Sequence, residues 1–284
     1  MTHAAASANQ RTRSDWERVL RDHDIRPTRS MGQNFLVDPA IVDEIVLVAG
    51  VGSGDRVVEI GPGMGILTRA LLGAGARVTG VELDRDLATF LRNDLAGVAG
   101  FSLVERDARH VDVVDVSENE SFAVVANLPY SVATVVIRHF VEAANPPERL
   151  TVMVQREVAE RMTADPPGMS LLGLATQLYS DAGIAFIVPP DVFLPPPKVE
   201  SAVVKLDVKV DLPLDLPDRN RLFELATMAF QRKRKTVANG LSMGLDRAKS
   251  EVDDMLRGAG IDAGLRPQAL GLEEWIEIAK AFRA

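Results

Sequence analysis

The chain has 284 residues, 46% of them hydrophobic and 25% charged, which is typical of a globular protein with room for a large domain and a smaller one. It has no cysteine, which excludes disulfides, thiolate catalysis and cysteine-ligated metals, and its four histidines are too scattered to form a metal site. No apolar run is long enough to cross a membrane, and the polar N-terminus does not resemble a secretion signal, so we expect a cytoplasmic protein without a metal ion.

The net charge of −8 is unevenly distributed along the chain. Residues 31–130 contain 15 acidic and 7 basic residues, whereas residues 219–249 contain 8 basic and 2 acidic residues. This difference indicates that one region binds a compact ligand while another contacts a polyanion.

The predicted elements begin with a short helix at residues 14–23, with Ser14 or Asp15 as its N-cap. From residue 55 to residue 207, short β-branched runs alternate with segments of helical period, which predicts a parallel sheet covered by helices. The predicted strands are residues 56–60, 77–82, 102–107, 122–127, 150–155, 184–188 and 201–207. The predicted helices are residues 67–72, 86–95, 132–143, 157–164 and 171–180.

Residues 211–218, with the sequence DLPLDLPD, lack periodicity and are predicted to be a linker. The segments after it have helical period throughout, which predicts a small all-helical domain; the alternative is a set of extra helices packed onto a single domain. We therefore divide the chain into an N-terminal extension (1–30), a large α/β domain (31–210) and a helical domain (211–284).

A glycine-rich turn follows the first strand of the predicted sheet. Gly61, Gly63 and Gly65 lie where a helix begins, so the backbone can approach a ligand and the helix N-terminus offers free N–H groups. The dinucleotide fingerprint would require glycine where the chain has Ile66, and no Walker A lysine follows. Gly-x-Gly-x-Gly preceded by Glu59 is typical of methyltransferases that use S-adenosylmethionine, although a purely structural turn remains an alternative.

Two acidic residues end the next two predicted strands. Glu82 can accept hydrogen bonds from both ribose hydroxyls of an adenosine, and Asp107 can accept one from the adenine amine. Each alone could be a helix cap or a solvated strand end. Together with the glycine turn, at three consecutive strand ends, they predict a nucleoside site.

The fourth strand ends in Asn127, Leu128, Pro129 and Tyr130. The Asn127 side-chain oxygen and the Leu128 carbonyl can each accept one N–H of an adenine amine, which holds the nitrogen for methyl transfer. Pro129 fixes the turn, and Tyr130 offers a ring for stacking a flipped base. The alternative is an ordinary β-turn with Tyr130 in the core.

Seven segments, in this order, resemble the ribosomal RNA adenine dimethyltransferases, and most of all the bacterial small-subunit (16S) type linked to kasugamycin resistance. They are GQNFL (32–36), EIGPGMG (59–65), VELD (81–84), NLPY (127–130), VMVQREVAERM (152–162), FLPPPKVESAVVKL (193–206) and FQRKRKTVANGL (230–241). The resemblance implies a Rossmann-like class I methyltransferase sheet with a helical C-terminal domain and S-adenosylmethionine as cofactor.

The resemblance also implies roles for individual residues. Asn34 and Leu36 would close over the cofactor, and Phe193 would be a second aromatic clamp opposite Tyr130. The rest of the cofactor pocket would be formed by Gly61, Glu82, Asp107 and Asn127. The implied activity is dimethylation of two adjacent adenines near the 3′ end of 16S ribosomal RNA, by a monomer acting on an immature small subunit.

Four consecutive cations begin the predicted helical domain: Arg232, Lys233, Arg234 and Lys235. Such a cluster neutralises phosphates without choosing a sequence, so we predict RNA contact here, with a solvated helix face as the alternative. Four further arginines could extend the basic track, or, in the case of the first two, belong to a mobile tail. They are Arg11, Arg13, Arg26 and Arg29.

Three other functions are compatible with these motifs. The first is a large-subunit (23S) ribosomal RNA dimethyltransferase, which would use the same chemistry on another substrate. The second is a non-catalytic assembly or transcription factor that keeps the fold as an RNA-binding platform. The third, a DNA or small-molecule methyltransferase, is disfavoured by the basic helical domain.

Overall fold

A computed structural model describes residues 11–28, 32–128 and 133–283 of the chain. The chain forms two compact units, which we name the sheet unit (residues 1–159 and 183–208) and the helical unit (residues 160–182 and 209–284). The sequence analysis assigned residues 160–182 to the large domain, whereas the structure groups them with the C-terminal helices.

The main sheet has seven strands in the order β4-β3-β2-β5-β6-β9-β7. These strands are β2 (Arg56–Ile60), β3 (Arg77–Glu82), β4 (Phe101–Glu105), β5 (Ala123–Asn127), β6 (Arg149–Gln155), β7 (Ser180–Val188) and β9 (Ser201–Val208). Two further strands, β1 (Phe35–Leu36) and β8 (Phe193–Leu194), pair with each other in antiparallel fashion. All seven predicted strands are present; residues 56–60 and 77–82 match their predicted bounds, and the bounds of the other five shift by up to four residues.

The sheet is parallel only in part. Strands β2 to β6 pair in parallel, but β9 is antiparallel to β6. Neighbouring parallel strands require a long crossover, usually a helix. The elements between β7 and β9 are only the 3₁₀ turn Pro190–Val192 and the two-residue strand β8. The alternation of strands and helices, on which the prediction of a parallel sheet rests, therefore ends at β7.

Among the described residues, seven helices belong to the sheet unit or begin in it: α1 (Arg13–Asp22), α2 (Pro39–Ala49), α3 (Ile66–Gly73), α4 (Arg85–Asp94), α5 (Val113–Ser117), α6 (Ala133–Val141) and α7 (Arg156–Met162). The N-cap of α1 is Thr12, and the prediction of Ser14 or Asp15 was wrong. Asp15 instead forms a capping box with Thr12. Helix α2 was not predicted, although Asp38 caps it, Pro39 begins it and Gly50 ends it in the left-handed conformation.

The sheet unit buries its apolar residues in two clusters. One lies around the central strands and includes Val57, Val125 and Met153. The other joins α1 to the glycine-turn region, because the buried Trp16 packs in the same cluster as Met64. The N-terminal helix is therefore part of the sheet unit's core.

The helical unit contains α8 (Leu171–Tyr179), α9 (Leu216–Phe230), α10 (Val237–Leu245), α11 (Lys249–Gly258) and α12 (Leu272–Ala281). Met169 and Leu174 are buried in the same cluster as Leu222 and Trp275, which explains why residues 160–182 group with these helices. Among the described residues, no helix is long and apolar enough to span a bilayer.

Candidate functional site

A cavity of about 300 Å³ lies at the carboxyl ends of β2, β3, β4 and β5, within the sheet unit. Open α/β sheets bind ligands at this edge. Eight residues that the sequence analysis selected line the cavity: Asn34, Leu36, Gly61, Gly63, Glu82, Asp107, Asn127 and Leu128. Four strand ends that are far apart in the sequence therefore converge on one space.

The glycine turn forms the floor of this cavity. Gly61, Gly63 and Gly65 have φ angles of 67°, 59° and 76°, which side chains larger than hydrogen rarely adopt. A Cβ atom on Gly63 would lie 3.1 Å from the Phe35 ring, and one on Gly65 would lie 2.8 Å from Leu91 Cδ2. Both the backbone conformation and the close packing therefore require glycine at these two positions.

The carboxylate of Glu82 is fixed by three backbone N–H groups. Oε2 accepts a hydrogen bond from Gly63 at 3.0 Å, and Oε1 accepts from Leu83 and Asp84, each at 2.9 Å. Burial raises the pKa of Glu82, and the hydrogen bonds from Asp84 and Gly63 oppose that rise. The side chain thus ties the end of β3 to the glycine turn and presents acidic oxygens to the cavity.

Glu59 also lines the cavity and is only 1% exposed. Burial raises its pKa to about 8; the nearby charge of Glu82 adds to the rise, whereas Thr68 and Arg69 oppose it. Its Oε2 atom is buried and has no hydrogen-bond partner among the described residues. A buried, unsatisfied acidic oxygen beside a cavity is typical of a ligand site.

Asp107 reaches the cavity with its carboxylate already engaged by Arg109. The Arg109 side chain donates from Nε and Nη2, and the Arg109 backbone N–H donates to Oδ1 at 2.9 Å. The side-chain hydrogen bond from Arg109 lowers the pKa of Asp107, so this carboxyl is ionised at neutral pH. Arg109 itself also lines the cavity, which the sequence analysis did not predict.

Asn127 connects the end of β5 to the segment that precedes β1. Its Nδ2 group donates to the backbone carbonyl of Asn34 at 3.2 Å, and this leaves the side-chain oxygen available as an acceptor. The backbone N–H of Leu128 donates to Met153 at 3.1 Å. Pro129 and Tyr130 lie outside the described residues, so their predicted roles remain predictions.

Phe193 is buried in this structure, and its predicted role as an aromatic clamp opposite Tyr130, which lies outside the described residues, stays a prediction. It is 1% exposed, pairs with Leu36 in the β1–β8 ladder and belongs to the central apolar cluster of the sheet unit. It does not line the cavity. In this structure its ring is a core element and offers no open face for stacking a base.

An aromatic ring does line the cavity, but it belongs to Phe35, which the sequence analysis did not select. The ring is 8% exposed and packs against the glycine turn at Gly63. Its position inside the GQNFL segment is the signal by which it could have been predicted. Phe35 and its neighbours Leu36 and Met64 give the cavity an apolar wall.

The four consecutive cations lie in the helical unit, in the turn between α9 and α10. Lys233, Arg234 and Lys235 are exposed, and none of the three forms an ion pair with another described residue. Five nearby basic side chains of the same unit are instead paired with carboxylates: Arg221, Arg247, Lys249, Arg257 and Lys280. The turn therefore concentrates positive charge that no internal acid offsets.

Arg266 adds to this turn without being near it in the sequence. The backbone N–H of Val237, at the start of α10, donates to the carbonyl of Leu265 at 2.7 Å, so the exposed Arg266 lies beside the turn. No sequence signal could have placed it there, because the contact depends on how the helices of this unit pack.

The N-terminal arginines have structural partners in the sheet unit. Arg13 donates to the carbonyls of Asp191 at 2.6 Å and Phe193 at 2.9 Å. Arg11 lies 4.9 Å above the Trp16 ring. Arg11 Nη2 also lies 3.8 Å from Asp94 Oδ1, so that contact and those of Arg13 hold α1 on the sheet unit. They do not support the idea that Arg11 and Arg13 extend the basic track or form a mobile tail.

The cavity fits the cofactor that the motifs suggest. Its volume lies at the lower end of the range for small-molecule sites, it combines an apolar wall with acidic and amide groups, and its glycine turn lies at a helix N-terminus. Glu59 also lines it and has a buried side-chain oxygen without a partner among the described residues. A nucleoside with a cationic side arm would satisfy these groups.

Comparisons with known proteins agree with this geometry. A family model described as ribosomal RNA adenine dimethylase matches residues 26–283. The chain is 34% identical over 272 residues to ribosomal RNA small subunit methyltransferase A of Dehalococcoides mccartyi, a match that covers 95% of this chain and 94% of the relative.

Two solved structures are also similar. A dimethyladenosine transferase from Plasmodium falciparum has a TM-score of 0.73 at 25% identity, covering 86% of this chain and 95% of that chain. The 23S rRNA methyltransferase ErmE has a TM-score of 0.69 at 27% identity, covering 87% of this chain and 99% of that chain. The predicted fold class is confirmed by these likenesses.

Proposed function

The chain belongs to the ribosomal RNA adenine dimethylase family, and we propose that it dimethylates two adjacent adenines near the 3′ end of small-subunit (16S) ribosomal RNA, using S-adenosylmethionine. The observation that carries this proposal is the meeting of Glu82, Asp107 and Asn127 at one cavity beside a glycine turn. The small-subunit name of the relative with 34% identity supports the choice of RNA.

The cofactor supplies a methyl group on a sulfonium, a leaving group that needs neither a metal nor an acid to depart. We assign its ribose hydroxyls to Glu82, whose oxygens are held in place by backbone N–H groups. We assign its adenine amine to Asp107 and its backbone contacts to Gly61 and Gly63. Asn34 and Leu36 cover it from the segment that Asn127 holds.

The chain's own task at the acceptor is to hold an adenine amine in line with that methyl group. Asn127 uses its amide N–H for Asn34, so its Oδ1 atom can accept one amine N–H. The Leu128 carbonyl, to which no described backbone N–H donates, can accept the other. These two acceptors would hold the amine and leave its nitrogen lone pair free for the incoming methyl group. The N–C bond would form as the methyl's C–S bond breaks, and the nitrogen's proton would pass to solvent.

We assign RNA contact to the exposed basic turn in the helical unit, with Arg232, Lys233, Arg234 and Lys235 on phosphates. An immature small ribosomal subunit is the proposed partner, and a monomer in the cytoplasm is the proposed state of the enzyme. A large-subunit RNA substrate is less well supported, because the 23S enzyme ErmE is less similar to this chain than its small-subunit relative.

The experiment that tests the site is an Asn127→Ala substitution, measured with labelled S-adenosylmethionine and undermethylated small subunits. We expect methyl transfer to fall by at least about 100-fold, the size of effect seen when one polar group that acts on the transition state is removed. Binding of S-adenosylhomocysteine, measured by calorimetry, should weaken much less, since the amide contacts the cofactor's cover and not its adenosine.

The matched control is Asn145→Ala. Asn145 also donates from Nδ2, to Ser117 and to the Glu120 carbonyl, but it does not line the cavity. It should retain full transfer activity. Full transfer by the Asn127→Ala enzyme would rule out the proposed role of this side chain.

A further inference from the structure

We propose that Arg109 is a specificity-determining residue of the cofactor site, whose guanidinium competes with an adenine amine for the Asp107 carboxylate. This inference rests on the proposed role of Asp107 as the acceptor for that amine. It concerns a residue that neither the glycine turn nor the strand-end pattern selects.

Among the described residues, Arg109 supplies every hydrogen bond that the Asp107 carboxylate accepts. Oδ1 accepts from the Arg109 backbone N–H at 2.9 Å and from Nε at 3.0 Å. Oδ2 accepts from Nε at 3.0 Å and from Nη2 at 2.5 Å. Nε has a single hydrogen, so its two contacts are one shared hydrogen bond, and three N–H groups engage a carboxylate that offers roughly four lone-pair sites. Both guanidinium donors contact Oδ2, so an amine that binds Oδ2 competes with them.

The contacts differ in how easily they can be broken. The backbone N–H contact to Oδ1 fixes the Asp107 side chain, but the guanidinium contacts depend on a side chain that is 41% exposed. Rotation of Arg109 into solvent would free Oδ2 completely and leave Oδ1 anchored. Ion pairs of this exposure are weak, so the displacement costs the cofactor only a modest factor in affinity.

Arg109 affects whether the site prefers a purine with an amine or with a keto oxygen at position 6. A ligand with an amine at position 6 of the purine competes with the guanidinium for Asp107, whereas a ligand with a keto oxygen there can accept a hydrogen bond from the guanidinium. Arg109 therefore narrows the difference in affinity between adenosine and inosine forms of the cofactor. Removing the guanidinium should widen that difference, because the adenosine form loses a competitor and the inosine form loses a hydrogen-bond donor.

The test is calorimetric titration of the full-length protein with S-adenosylhomocysteine and with its inosine analogue, which needs no methyl transfer. We expect Arg109→Gln to bind the adenosine ligand about three- to tenfold more tightly, and the inosine ligand with less than a twofold gain. Arg109→Ala should behave in the same way. The matched control is Arg92→Gln, since Arg92 pairs with Glu105 at 2.7 Å at similar exposure and neither residue lines the cavity.

Unchanged or weaker binding of the adenosine ligand by both Arg109 variants would overturn the proposal. Asp107→Ala separates this failure from a failure of the site assignment. If Asp107→Ala weakens adenosine binding tenfold or more while the Arg109 variants do not tighten it, only the role of Arg109 is wrong. If Asp107→Ala binds as tightly as the natural protein, the assignment of the adenine subsite is wrong, and the role of Arg109 with it.

Discussion

Three acidic side chains line the cofactor cavity, and their surroundings give them different protonation behaviour. Glu59 is buried with an unsatisfied oxygen, Glu82 is buried but accepts three backbone N–H groups, and Asp107 is paired with Arg109. Burial accordingly raises the pKa of Glu59 to about 8, whereas the Arg109 hydrogen bond lowers the pKa of Asp107. The site therefore contains a neutral acid and an ionised acid at the same pH.

The state of Glu59 predicts an unusual pH dependence of stability. Because its pKa in the folded protein is about 8, above the ordinary value of 4.5, the folded chain retains a proton that the unfolded chain loses between these values. Its contribution to stability is therefore complete below about pH 4.5 and is lost as pH rises through about 8. We expect the free energy of unfolding to fall over this window by about 2–4 kcal/mol more in the natural protein than in Glu59→Gln.

Urea denaturation at pH 5, 6, 7 and 8 measures this effect, and the difference between the two proteins removes contributions from the histidines. Asp107 cannot mimic it, because a lowered pKa acts at acid pH. Parallel pH profiles for the two proteins would show that Glu59 is ionised in the folded state.

Some residues of the site could be predicted from the sequence alone, and others could not. Glu82, Asp107 and Asn127 could be placed because each follows an apolar run, and parallel strand ends share an edge. The pairing of Asp107 with Arg109 could not be predicted from the sequence, because an arginine at that position could pair with any of several acidic residues. The burial of Phe193 depends on the pairing of two two-residue strands that no periodicity reveals.

Among the elements, the glycine turn and α3 are the part of the fold that depends most on a single residue type. Gly65 begins α3 with a φ of 76°, and a Cβ atom there would lie 2.8 Å from Leu91 Cδ2 and 3.0 Å from Arg69 Nη1. Gly97 has nearly the same φ, 74°, but a Cβ atom would meet nothing within 4 Å. The two glycines therefore separate conformational strain from steric overlap.

We expect Gly97→Ala to destabilise the protein by about 1 kcal/mol through strain alone. Gly65→Ala should cost about 1–3 kcal/mol more, because the added methyl overpacks α4 against α3. Urea denaturation gives both values, and titration with S-adenosylhomocysteine should show weaker binding only for Gly65→Ala. Equal losses of stability in the two variants would mean that the turn is not closely packed.

The elements that sequence reasoning missed have identifiable causes. Helix α2 carries a cap at Asp38, a proline at its first position and a terminal Gly50, so it was predictable from local signals. The antiparallel β9 and the grouping of residues 160–182 with the helical unit were not. Both features depend on long-range packing, which local sequence signals do not reveal; Met169 and Leu174, for example, are buried in the same cluster as Trp275.

The protein as a complete chain is acidic, yet the proposed substrate is a polyanion. The exposed cations of the α9–α10 turn can nevertheless bind RNA. Physiological salt screens the repulsion from distant acidic residues, whereas contacts between these cations and phosphates act at short range. The sequence predicted this cluster, because four adjacent cations need no folding to be close. It could not predict that the neighbouring basic side chains are neutralised by acids or that Arg266 joins the turn.

Changing Arg232, Lys233, Arg234 and Lys235 together to Gln should weaken binding to small-subunit RNA and reduce the slope of log K against log salt by about 2–3. The matched control removes the same charge from paired positions, namely Arg247, Lys249, Arg257 and Lys280. Filter binding between 50 and 300 mM salt compares the two. If the control variant loses as much of the slope of log K against log salt, the effect is due to net charge and not to the turn. The cofactor affinity of both variants should be unchanged.

The decisive measurement for the proposed function is the location of transferred methyl groups on ribosomal RNA. Undermethylated small and large subunits are incubated separately with the protein and labelled S-adenosylmethionine, and the modified bases are mapped. The proposal predicts two methyl groups on each of two adjacent adenines near the 3′ end of the small-subunit RNA, and no label on the large-subunit RNA. Label on an adenine of the large-subunit RNA, or no transfer to either subunit, would contradict it.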